Sequence, residues 1–576
     1  MIRLPEDSEE LTDEPRGARL KQHARAFARD HWHILLVLAI MGAAFGLRMY
    51  YLSRHTEYTA DSYYFLILAR SIRDTFTYTV RGIAHTKYLP GFPIMIWLGS
   101  YITGSLTRAA NLIAVLGGTF TVLATYGIGR ELVNKWVGVV AALIVAFQPT
   151  FLKWTVLPMT EGLFTFLFAG GVYLLITGAK RASSNRRLLG AIAGGLCFLV
   201  RWEGILFLPL AVLIMIIYFK DSRVRVWEPF VMLAVFALPM GIYVVRNLIE
   251  TGKITSYVGE FREYSTKVSY QILKHRAKVY VWNGMSDALF SGLFLVGSAW
   301  ALVRKKWKLF FVAVGWFALF AGFHLFWYYA YERFMAPAVP AVGLIIGFLF
   351  VDAAGLSWAF FKADGWVARK VTGRSVAAEA APAPTDEISS DNAERLSGQP
   401  SRGLAISLRA AQVVCLVLIA ALLAVTVGHG LARADEVIKQ NYLAFADDHG
   451  GAGMKQAADW LNQNAPGQLV AADAGPYFEW LYYPGDVLYM RPVPWDLPVE
   501  PADIVYTDVP RNLYDRGVRY LVIGQTEKGV EDELTIFGIT GQFRKFVRPV
   551  VQWVNHYDFP EPHDLTTAIF EVLPPR

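Results

Sequence analysis

Only two cysteines, Cys197 and Cys415, occur in 576 residues, and both lie within apolar runs. That excludes a disulfide framework and a cysteine metal centre, and leaves the thiols as core filler. Charge is scarce too, at 18% of residues, against about 25% in a typical soluble domain. The net charge of +7 comes from short basic clusters set between apolar runs, the pattern of orientation signals, so nucleic acid is excluded as a partner. No internal repeat is visible of the kind that marks many transporters. Nor is a cleavable signal peptide expected. The polar tail of residues 1–32 turns basic before an apolar run that starts late and has no small-residue cleavage site after it, so the first span is expected to stay.

What the chain does have is apolar length: 54% of its residues are hydrophobic and 14% aromatic. Repeated long runs define a mainly α, multispanning membrane protein. About eleven segments, from 33–52 to 405–431, are long enough to be read as spans. A further stretch, Gly91–Gly104, would reach only about 21 Å as a helix and is expected to be re-entrant or to lie at the surface. Left out of the count, it lets the basic loops at Arg130 and Lys135, Lys180–Arg187, Lys220–Arg225, Arg304–Lys308 and Lys362–Arg374 all fall on the cytoplasmic side. The external loop Asn247–Ser286 is the exception, being basic itself. The resulting organisation is a tail (1–32), a membrane module (33–356), a cytoplasmic linker rich in Ala, Pro, Ser and acids and partly disordered (357–404), a last span (405–431) and an extracytoplasmic α/β domain (432–576).

The informative polar stretch runs from Arg54 to Pro93, just after the first span. Asp61 opens an amphipathic segment, Asp61–Asp74, whose apolar residues would rest on the membrane while Asp61, Arg70 and Arg73 face water. Other ionisable residues cluster at span ends on the same predicted side: Glu161, Arg201, Glu203, Arg246, Glu332 and Arg333, with His85 and Lys87 in the first outer loop. Charge at a bilayer boundary is costly and usually serves a substrate or a partner. Carboxylates together with fixed cations suit sugar transfer from a lipid phosphate, in which a base takes the acceptor proton and Lys or Arg stabilises the departing phosphate. Simpler readings exist for each residue. Asp61 would also serve as a helix cap, Arg201 and Arg246 as interfacial snorkelling residues, Arg333 as a partner of Glu332 or Glu161, and Glu161 as a stabiliser of its helix start. His85 and Lys87 would serve as surface residues.

The segments ADSYYFLILARSI, KYLPGFP, GRELVNKWVG, PTFLKWTVLPMTEGLFTFLF and ERFMAPAVP, in that order, resemble the C-type (GT-C) glycosyltransferases that use polyprenyl-phosphate sugars. Protein O-mannosyltransferases, aminoarabinose transferases and rhizobial lipopolysaccharide glycosyltransferases belong to this group, and the likeness covers residues 33–355. It implies an extracytoplasmic site, an inverting transfer, Asp61 as the essential acid, phosphate contacts at Lys87 and Arg333, and a lipid, glycan or protein acceptor. Departures are visible: Ser62 follows Asp61 where several relatives carry a second acid, and Lys-Tyr-Leu-Pro replaces Lys-Pro-Pro. Some members of the wider fold use a divalent metal, and the resemblance leaves one open here, although Asp, Glu and His are only scattered. A transporter or flippase of lipid-linked saccharide would need the basic cavity without the base. A polysaccharide polymerase or ligase would use the Asn247–Ser286 loop.

Overall fold

The computed structural model describes residues 16–54, 58–80, 82–255, 270–283, 288–327, 331–360, 402–449, 454–472, 487–489, 513–526, 547–557 and 563–574. Linker residues 361–401 and the middle of the basic loop, residues 256–269, lie outside them. The chain forms a helical bundle followed by a small mixed sheet. Helix α1 (Arg16–Arg54) leads to α2 (Ala60–Thr75), a two-strand hairpin of β1 (Thr79–Val80) and β2 (Ile83–Ala84), and α3 (Gly91–Thr103). Helices α4 (Leu106–Leu132), α5 (Lys135–Phe147), α6 (Pro149–Thr155), α7 (Thr160–Lys180), α8 (Ser184–Val200), α9 (Phe207–Ile217) and α10 (Glu228–Thr251) follow. Then come α11 (Ala288–Val303), α12 (Trp307–Leu325), α13 (Val339–Phe360) and the long α14 (Arg402–His449).

Among the described residues, seven helices are long and apolar enough to cross a membrane, or eight if α5 and α6 make one bent span. The expected spans at 187–200, 203–219 and 287–303 form the shorter helices α8, α9 and α11, so the count of eleven rests on sequence alone. Helix α3 has 13 residues, about 20 Å at 1.5 Å per residue, too short to cross. Its first residue, Gly91, abuts the Leu199 and Val200 backbone and side chain at the end of α8, which fixes α3 at the same end of the bundle as the first loop.

Helix α2 departs from its sequence pattern. Its apolar residues do not lie on lipid: every residue from Ser62 to Ala69 is buried, packed against α3, α4 and the hairpin. The polar positions recur with helical period, but period alone does not say whether the apolar face meets lipid or protein.

The bundle is tight where side chains vanish. A Cβ on Gly117 of α4 would stand 2.4 Å from the Gly162 carbonyl carbon of α7, so the two backbones touch directly, as small residues permit in membrane bundles. Gln148 divides α5 from α6: its side-chain oxygen accepts from Phe151 N at 2.7 Å, Pro149 starts the new helix, and the axis turns by 60°. Arg48 of α1 clamps that bend. Its Nε donates to Thr155 Oγ1 at 2.8 Å, and its Nη1 donates to the carbonyls of Ala44 and Ala146 at 3.1 and 3.4 Å. The Ala146 carbonyl is one that the break in α5 frees, so the clamp satisfies it. Helix α6 is thereby held to present Lys153 and Trp154.

After α14, helix α15 (Met454–Asn464) packs on a sheet of β3 (Val470–Ala472), β4 (Val487–Tyr489), β5 (Tyr520–Thr526), β6 (Val547–Tyr557) and β7 (His563–Val572). The order is β4-β3-β5-β7-β6, with β3 parallel to β4 and β5, and β7 antiparallel to β5 and β6. Period-2 alternation puts Val470, Ala472 and Val522 on one buried face and Ala471, Leu521 and Ile523 on the other. This matches the short β runs expected in the last 145 or so residues.

Gly117→Val should force α4 and α7 apart, with a loss of roughly 1–3 kcal/mol or more seen as a lowered midpoint in detergent thermal unfolding. An unchanged midpoint would contradict the backbone contact.

Candidate active site

Thr59 is the N-cap of α2: it sits in extended conformation and its Oγ1 accepts from Ser62 N at 3.2 Å. Asp61 is therefore not the cap, although a carboxylate in the first turn is favoured there. Its oxygens are held by other segments. Tyr88 donates its O–H to Asp61 Oδ1 at 2.6 Å, and Arg333, 272 positions away, donates Nη1–H to Oδ2 at 2.7 Å. The β1–β2 hairpin pairs Thr79 with Ala84 and Val80 with Ile83 and returns the chain across α2. His85 is buried in that return, accepting from Tyr88 N at 3.0 Å and stacking on the Tyr88 ring. Its work is to place Tyr88. Lys87 is 5% exposed, with Nζ 5.9 Å from the Tyr88 ring centroid, and its carbonyl accepts from Trp202 Nε1 at 3.3 Å.

The span ends supply a second network. Arg201 donates to Glu161 Oε1 and Glu203 Oε1, each at 2.6 Å, and to Thr160 Oγ1 at 2.9 Å. Burial opposes its charge, but Glu203 and then Glu161 outweigh burial and raise the guanidinium above its already high pKa, so it stays ionised. His324, at the end of α12, places Nε2 3.3 Å from Glu203 Oε1 and stacks face to face on Phe334 with centroids 4.6 Å apart. On the 3-10 turn Glu332–Ala338, Glu332 pairs with Lys153 of α6. Arg333 lies over the Trp154, Tyr331 and Phe334 rings at 5.7, 5.6 and 5.5 Å. Arg333 therefore pairs with neither Glu332 nor Glu161, the partners expected of it as a purely structural residue.

These networks enclose a cavity of about 70 Å³, lined by Asp61, Lys87, Tyr88, Thr160, Arg201, Trp202, Glu203, His324, Trp327 and Arg333 together with apolar side chains. Of the residues singled out from sequence, Asp61, Lys87, Arg201, Glu203 and Arg333 line it. His85, Glu161 and Glu332 stand behind it, and Arg246 is not brought to it. Arg246 donates to the carbonyls of His85 and Tyr78, both at 2.8 Å, and to Asn247 Oδ1 at 2.9 Å, which staples the hairpin to α10. Sequence reasoning missed Tyr88, His324, Trp202, Trp327 and Lys153. For Lys153 the signal was present, as a lone cation in the apolar run PTFLKWTVL; the others are aromatic or histidine residues in aromatic surroundings and carry no such mark.

Among the described residues, no group of three or more His, Cys, Asp or Glu is placed to hold a metal ion. The carboxylates of Asp61, Glu161, Glu203 and Glu332 each face a cationic side chain, so the donor set does not fit a divalent cation.

Residues 84–245 match the family model described as dolichyl-phosphate-mannose-protein mannosyltransferase. No curated protein matches the chain significantly. The structure is similar to that of ArnT from Cupriavidus metallidurans bound to undecaprenyl phosphate, at 13% identity and TM-score 0.54 over 94% of this chain and 98% of that one. It is also similar to the Archaeoglobus fulgidus oligosaccharyltransferase tethered to an acceptor peptide, at 12% identity and TM-score 0.52, covering 93% of this chain and 74% of that one. The chain is a multi-pass membrane protein with the GT-C fold.

Arg246→Ala removes two charge-assisted bonds from the hairpin, each contributing about 1.5–3 kcal/mol. Limited proteolysis should then cut within residues 78–88 faster than in the wild type; equal rates would show that the staple is not needed.

Proposed function

We propose that this chain transfers a sugar from a polyprenyl-phosphate donor to an acceptor hydroxyl on a lipid, polysaccharide or protein. The observation that carries this reading is the single cavity in which a carboxylate from α2 meets cations from two other segments, Lys87 and Arg333. The family match over residues 84–245 includes Lys87 and supports it, as does ArnT, whose structure holds undecaprenyl phosphate.

In this reading Asp61 is the base. The acceptor O–H gives its proton to an Asp61 oxygen as the acceptor oxygen bonds the anomeric carbon. The bond from that carbon to the phosphate oxygen breaks, and its electron pair leaves with the phosphate. Attack opposite the leaving group inverts the anomeric centre. Lys87 and Arg333 stabilise the phosphate charge, Lys as a point charge and Arg through paired donors. Arg333 donates to Asp61 Oδ2, so donor phosphate that draws Arg333 to itself also removes that charge-assisted bond from the base. Four of the five Arg201 N–H groups go to Glu161, Glu203 and Thr160, so in this reading it acts chiefly as the frame of the cavity.

Orientation belongs to the same proposal. Lys180 and Arg181 pair with Glu131, and Lys308 with Asp221, at helix ends opposite the cavity, since α7 runs from Thr160 at the cavity to Lys180. With these basic ends in the cytoplasm, the cavity and the C-terminal α/β domain face the outer side of the cytoplasmic membrane.

Asp61→Asn should lower transfer of labelled sugar from a polyprenyl-phosphate donor by about 10²–10⁴-fold, and full turnover in that variant would remove the base assignment. Lys87→Ala and Arg333→Ala should each raise the donor KM; unchanged KM in both would remove the phosphate assignment. Passage of intact donor across vesicles without cleavage by either protein would instead favour a flippase.

A further inference from the structure

Glu203 is the one cavity carboxylate that the proposed transfer leaves without a task, and its hydrogen bonds can be counted. A carboxylate offers about four lone-pair positions. Arg201 Nη2 fills one on Oε1 at 2.6 Å, and His324 Nε2 faces the second at 3.3 Å. Arg201 Nε fills one on Oε2 at 3.3 Å. One position on Oε2 is left. The Glu203 side chain is 11% exposed, and it lines the cavity, so that position is open to what binds there.

Its surroundings narrow the ligand. Trp202 and Trp327 line the same cavity. Trp202 is oriented by its N–H bond to the Lys87 carbonyl, and Trp327 stacks on Phe323 with centroids 5.9 Å apart. Aromatic walls beside a rigidly held acceptor suit a ring that carries both apolar C–H faces and hydroxyl donors, which is a sugar. Phosphate does not fit beside Glu203, because like charges repel, and it has Lys87 and Arg333 as its own partners. A rigid acceptor also discriminates well, because a ligand lacking the matching O–H leaves a buried group unsatisfied.

We propose that Glu203, clamped by Arg201 and His324, accepts a hydrogen bond from a hydroxyl of the donor sugar, with Trp202 and Trp327 as the walls of that subsite. The assignment rests on the glycosyltransferase reading and adds to it where the sugar ring sits. It also gives Glu161 a purpose: by holding the other side of Arg201 it keeps the clamp in register.

The test is binding rather than turnover, using the full-length protein in nanodiscs. Bare polyprenyl phosphate and polyprenyl-phosphate hexose of the same chain length each compete against a fluorescent polyprenyl-phosphate probe. The wild type should prefer the sugar-loaded lipid. Glu203→Gln must turn an amide N–H toward Arg201 or His324, which breaks the clamp. It should weaken the loaded lipid about tenfold or more and leave the bare lipid within about twofold. Trp327→Ala, which leaves the Arg201 network in place, should show the same selective loss and guards against a folding defect in Glu203→Gln. Equal weakening of both lipids in the two variants, or no weakening of the loaded lipid, overturns the subsite while leaving the phosphate assignment standing. Failure of the wild type to bind bare polyprenyl phosphate overturns the glycosyltransferase reading itself, and the subsite with it.

Discussion

Charge compensation between remote segments is the constraint on which the rest of the structure depends. Asp61 needs Arg333, Glu161 and Glu203 need Arg201, and Glu332 needs Lys153, because none of these groups is tolerated alone at the end of an apolar bundle. All but the local Arg201–Glu203 pair join different elements, so satisfying the charges also docks α2 on the turn after α12, α7 on the end of α8, and α6 on that same turn. The cavity is what remains between these pairs. Its chemistry and its architecture therefore have one cause: a site of fixed carboxylates and cations exists because the helices can close only in an arrangement that neutralises them.

The supporting parts follow from that demand. Helix α6 must present Lys153 to Glu332 and the Trp154 ring to Arg333, and the Gln148–Pro149 break with the Arg48 clamp sets its angle. The hairpin must bring Tyr88 to Asp61, and Arg246 fixes it by binding two of its carbonyls. Phe334 ties the two networks together, since it follows Arg333 in the chain and stacks on His324.

Much of this was legible in the sequence where polarity interrupts apolar runs. Arg201, Glu203 and Arg333 are conspicuous for that reason, Asp61 and Lys87 because they lie in the polar stretch after the first span, and the segments of Asp61, Lys87 and Arg333 stand in the order that carries the likeness to GT-C enzymes. The strands described after α14 were also readable from alternation. What could not be read is direction. Arg246 and Arg333 look alike as cations at span ends, yet one turns to backbone carbonyls and the other to Asp61, a choice set by helix rotation and by the path of the hairpin. The amphipathic period of α2 was visible, but its apolar face meets protein and not lipid. Tyr88, Trp202 and His324 gain their roles only from what folds against them, and nothing in a chain so rich in aromatic residues singles them out.

The most direct measurement is a structure of the full-length protein with a bound polyprenyl-phosphate sugar that it cannot turn over. The account predicts phosphate oxygens about 3 Å from Lys87 Nζ and the Arg333 guanidinium, with Asp61 released from Arg333 and facing the anomeric carbon from the side opposite the phosphate. Phosphate bound away from both cations, or Asp61 still paired with Arg333 and remote from the sugar, would contradict it.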